Sequence, residues 1–150
     1  MANTQSISTN FKTEQYNGIH AFGVTVIRAA TTADVFKAAL FYATATLNAA
    51  TAAYAVTGEV AGAGYTAGGV TFTWIAPSST GTTAFTTPSA AFSWTGFTST
   101  GSFDCCHVYN STQAAKSVAV YTFGAQSVTA GNFSLTMPTN DATTGLLRTA

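Results

Sequence analysis

The residues best equipped for chemistry stand together in "FDCCHVYN", where Asp104, Cys105, Cys106 and His107 are consecutive. Thiols and imidazoles ligate zinc, and a thiolate beside an imidazole can act as a nucleophile. On an extended strand alternate side chains share a face, so Cys105 and His107 point one way and Cys106 the other. A structural zinc site needs four converging ligands, and here only the remote His20 or a carboxylate could complete the set. No metal is therefore expected, and the thiols read as small buried hydrophobes. A catalytic Cys/His pair also needs an orienting partner, and whether Asp104 faces His107 depends on where the strand ends.

A second candidate is "TGEVAGAGYTAGGVTFTW", residues 57–74, in which glycines crowd around one tyrosine. A dinucleotide fingerprint requires GxGxxG opening a helix, but here Gly62 and Gly64 are followed by Ala67 and the chain then enters a strand. No lysine follows the glycines as a nucleotide-binding P-loop demands; Lys37 and Lys116 are distant. The reading kept is a structural turn built from Gly62, Gly64, Tyr65, Gly68 and Gly69, with glycine supplying positive φ and close backbone approach. No cofactor is expected. The carboxylates Glu14, Asp34, Glu59, Asp104 and Asp141 are scattered, without the paired spacing of acid/base catalysis, so an enzyme is not expected. The sequons at Asn110 and Asn132 would matter only in a secretory pathway. Phe72, Trp74, Phe92 and Trp94 fall two apart within their strands, which is the spacing of a buried face.

The elements that must hold these residues are mostly strands. "FGVTVIR" (22–28), "DVFKAALFYATATL" (34–47), "GVTFTWIA" (69–76), "AFSWTGF" (91–97), "FDCCHVYN" (103–110), "SVAVYTFG" (117–124) and "NFSLTMP" (132–137) are β-branched, aromatic or alternating, with turn residues between them. The expected fold is all-β, an antiparallel sandwich or jelly-roll-like domain. Two short helices are expected beside it. One starts at Ser8, Thr9 or Asn10 and stops at Gly18; the other, capped by Asn48, runs over 49–56. The segment 77–88, bounded by Pro77 and Pro88, reads as a long loop or edge excursion. Residues 1–21 form an N-terminal arm and 22–150 a single β domain on this reading.

Composition narrows the function. Only 7% of the 150 residues are charged, against about 25% in ordinary soluble domains, and the net charge is +0. Without a basic field there is no phosphate footprint, so nucleic acid and anionic membrane are not expected partners. A surface so poor in charge is weakly protected against self-association and suits packing against neighbours. Neither a cationic-then-apolar leader nor a long apolar run is present, which gives a cytoplasmic expectation.

The stretches "DVFKAALFYATATLNAATAAYAVTGEVAGAGYTAGGV", "FSWTGFTSTGSFDCCHVYNSTQAAKSVAVYTFG" and "NFSLTMPTNDATTGLLR" together resemble a family of small virion proteins from the head and tail genes of tailed bacteriophages. Similar chains carry an FKxALY strand, a TxEVxGxGYxxGG turn, a YNS turn before a KAVAVxxFG strand, and an FxxxFP with an IIR-like end. The opening "NFKTEQYNGIHAF" also resembles the helix that starts them. The chain departs from the pattern at "FDCCHVYN" and in its Thr/Ser-rich loop 77–88. The resemblance implies a virion protein assembled in the host bacterial cytoplasm, foremost a capsid decoration or cement protein. Its implied partners are the major capsid protein and copies of itself as a homo-oligomer. Phe11, Tyr16, His20 and Phe22 are then the expected contacts of the N-terminal arm. Alternatives are a tail or neck subunit, or a carbohydrate-binding host-attachment module, which exposed tryptophans would favour.

Overall fold

The computed structural model describes residues 3–8, 11, 15, 18–23, 32–81 and 83–149. Its elements are β1 (Ser6–Ile7), β2 (Phe36–Tyr42), β3 (Val70–Phe72), β4 (Ser78–Thr80), β5 (Thr83–Thr86), β6 (Phe92–Phe97), β7 (Phe103–Asn110), β8 (Lys116–Gln126), β9 (Gly131–Leu135) and β10 (Leu147–Thr149). The fold is all-β and its sheets are antiparallel. One sheet has the order β1-β8-β7-β2-β3, a second β10-β5-β4, and a third pairs β6 with β9.

The central strands β2 and β7 are buried almost without interruption, which explains their unbroken apolar sequences: each face meets its own cluster. One face contributes Ala38, Leu40, Cys106 and Val108 to a core shared with Phe92, Trp94 and Phe97 of β6, Trp74 and Leu147. The opposite face contributes Ala39, Phe41, Cys105 and Tyr109 to a smaller cluster covered by Ala45, Leu47 and Tyr54. By contrast β6, "FSWTGF", alternates buried Phe92 and Trp94 with exposed Ser93 and Thr95. Its register shifts between Trp94 and Phe97, where Gly96 takes φ +63°.

Several expectations are corrected. Neither short helix is seen as an element. Over 49–56 the chain instead turns at Asn48, whose side chain accepts from the Ala50 amide at 2.8 Å. It then runs extended, with Tyr54 N donating to Ala115 O at 2.8 Å and Ser117 N to Ala52 O at 2.9 Å. Pairing with 115–117 takes up backbone groups that a helix would have used, and the Tyr54 ring docks on Tyr109, overriding the helix-compatible composition. The N-terminal helix falls largely outside the described residues; Phe11 and Gln15 have helical backbone but belong to no described element. The expected strand over 22–28 also lies mainly outside them. Residues 77–88 hold the β4–β5 hairpin, to which β10 adds as a third strand. Within the segment read as an N-terminal arm, Ser6 and Ile7 pair with Val120 and Ala119 at the margin of the five-stranded sheet.

Candidate functional site: a glycine turn clamped by Glu59

The glycine turn lies between β2 and the strand ends around residues 97–100. A Cβ on Gly69, at φ +70°, would stand 1.9 Å from the carbonyl oxygen of Ala38, and one on Gly62 1.8 Å from that of Thr98. Only glycine allows so close an approach of two backbones. Hydrogen bonds from Thr98 N to Ala63 O at 2.8 Å and from Thr100 N to Ala61 O at 3.1 Å bind the turn to its neighbour.

Tyr65, at the centre of the turn, reaches the sheet. Its hydroxyl accepts from Leu40 N at 2.9 Å and donates to Glu59 Oε1 at 3.0 Å. Glu59 is only 5% exposed, and its carboxylate also accepts from Tyr54 Oη at 2.5 Å and from Gly68 N at 2.8 Å. Tyr109 of β7 donates to Gly68 O at 2.8 Å, and its ring stacks on Tyr54 with centroids 4.5 Å apart. One carboxylate therefore ties the turn, the extended 51–56 segment and, through Tyr65, β2. Burial, reinforced by the Glu59 charge, holds the Tyr54 and Tyr65 hydroxyls above the usual phenol range, and the same causes push Tyr109 up to about 12. All three phenols stay protonated as donors at neutral pH. Three donors converge on this one carboxylate, and together they fix the turn against the sheet.

Sequence reading missed this role of Glu59, which stood as one of five scattered carboxylates. The available signal was an isolated acid between apolar residues in a chain otherwise poor in charge.

The "FDCCHVYN" residues are divided as alternation requires: Cys105 joins the smaller cluster and Cys106 the larger core. Both thiols are free, and both are driven up by burial, Cys105 to about 12. His107 is wholly buried, with Nε2 2.9 Å from Ser117 Oγ, and burial lowers it to about 4. Asp104 is not its orienting partner; its Oδ1 accepts from Asn3 Nδ2 at 2.8 Å. Among the described residues no group of three or more His, Cys, Asp or Glu is placed to hold a metal ion.

The residues expected on a protruding arm are turned inward. Phe11 is 2% exposed and His20 8%, their rings 4.8 Å apart, while Phe22 stacks on Phe36 at 5.3 Å and meets Trp74 edge-on. Phe11, His20 and Phe22 thus pack against one another and against the core, with Phe22 half-buried; Tyr16 lies outside the described residues. Asn110, first residue of a sequon, is also fully buried. Its amide donates to Asp34 Oδ2 at 2.8 Å and meets His20 Nδ1 at 3.1 Å, while Oδ1 accepts from the Thr112 and Gln113 amides. Trp74 and Trp94 are buried as well.

No protein-family model matches the chain, and no curated protein and no solved structure matches it significantly.

Proposed function

We propose that the chain is a structural protein of a tailed-bacteriophage virion, foremost a capsid decoration or cement protein that binds the major capsid protein lattice and stabilises the head. The observation that carries this reading is the fate of the TxEVxGxGYxxGG motif on which the family resemblance rests. Glu59, Tyr65, Gly68 and Gly69 interlock with one another and with the sheet, as architecture demands and chemistry does not. A chain with only five basic and five acidic residues in 150 supports the same reading, since a lattice component gains affinity from repeated burial rather than from one charged site. We read the packing of β6, β9 and the β10-β5-β4 sheet around the core as sandwich-like, and the protein as non-enzymatic and self-associating.

The second reading is a tail or neck subunit, which symmetry separates from the first through copy number. Burial of both tryptophans weighs against a carbohydrate-binding module. The deciding experiment is quantitative mass spectrometry of purified particles of the phage encoding the chain. A ratio to the major capsid protein of about one to one or one to three supports cement under shell symmetry. About one in a hundred supports the tail or neck, and absence from the particle overturns the virion reading.

A further inference from the structure

We draw no further inference here: the strongest candidate, the open notch of about 180 Å³ between the glycine turn and β6 that is lined by Gly64, Thr66, Gly69, Ser93 and Thr95, has no charged group among the described residues of its lining, and nothing in the structure shows what covers it.

Discussion

His107 gives a pH dependence whose size follows from its burial. The ring is enclosed by Phe41, Tyr54 and Tyr109, with centroids 5.8, 6.5 and 5.8 Å away; among the described residues its one polar partner is Ser117 Oγ, and Nδ1 has none. Burial lowers the imidazole from 6.5 to about 4. Between those values the unfolded chain binds a proton that the folded chain refuses, so stability is lost as pH falls through that window. The loss amounts to about 2 kcal/mol between about pH 7 and pH 5, approaching about 3 kcal/mol once both states are protonated. For a chain of 150 residues the first figure lowers the melting temperature by about 4–8 °C. The assay is urea unfolding across this range for the wild type and for His107→Gln, which keeps a polar atom toward Ser117 and cannot titrate. The difference between the two curves isolates this ring. Asp141, held below the usual carboxylate range by the Thr144 and Thr143 amides, acts at lower pH. Wild-type and variant curves that run parallel would refute the reasoning.

The clamp and the turn give two further tests. Glu59→Ala leaves the Tyr54 and Tyr65 hydroxyls and the Gly68 amide without their acceptor. The expected cost is about 3 kcal/mol or more, read by urea unfolding, with faster proteolysis across residues 57–69; an unchanged midpoint would remove the clamp from the account. Gly69→Ala drives a Cβ into the Ala38 carbonyl, whereas Gly81→Ala, also at positive φ, meets nothing within 4 Å. Thermal melts should show Gly81→Ala costing about 1 kcal/mol and Gly69→Ala well beyond that, and equal costs would contradict the close approach.

Much of the strand framework was legible because its signals are local. "FDCCHVYN" is β7 over the residues read as a strand, and the alternation in "AFSWTGF" and "NFSLTMP" places β6 and β9 within a residue or two. The 34–47 run was legible as a strand, and β2 occupies Phe36–Tyr42 of it; what the run could not reveal is that Ala45, Leu47 and Tyr54 fold back to cover the second face. The helix expected over 49–56 failed for the same reason: its backbone partners, residues 115–117, are remote in sequence. The site was less legible still. Tyr54 and Tyr65 are five and six residues from Glu59, but Tyr109 meets Gly68 from 41 residues away and Asn110 meets Asp34 from 76. No spacing rule in a single sequence carries such pairings. An Asn-Ser-Thr triplet reads as a surface turn until the structure shows its asparagine donating inward.

Burial on both sides of β2 and β7 also limits how this protein can meet a partner. One face of the large sheet is closed by β6, Trp74 and Leu147, the other by Ala45, Leu47 and Tyr54, so the central strands offer no open face. Among the described residues, exposed strand surface lies elsewhere, as on the outward residues of β6 and β9 and on β4. The chain carries few charges, and among the described residues the exposed large apolar side chains, Val35, Val56 and Ile75, are separated along the sequence. Main-chain hydrogen bonds at an open margin can still supply geometry and register, although each contact is small by the standard of stable interfaces. Small contacts become strong when copies are held side by side, because every later contact then forms at high effective concentration. On the proposed virion reading, the weakness of a small contact in isolation is what repetition on a shell would overcome.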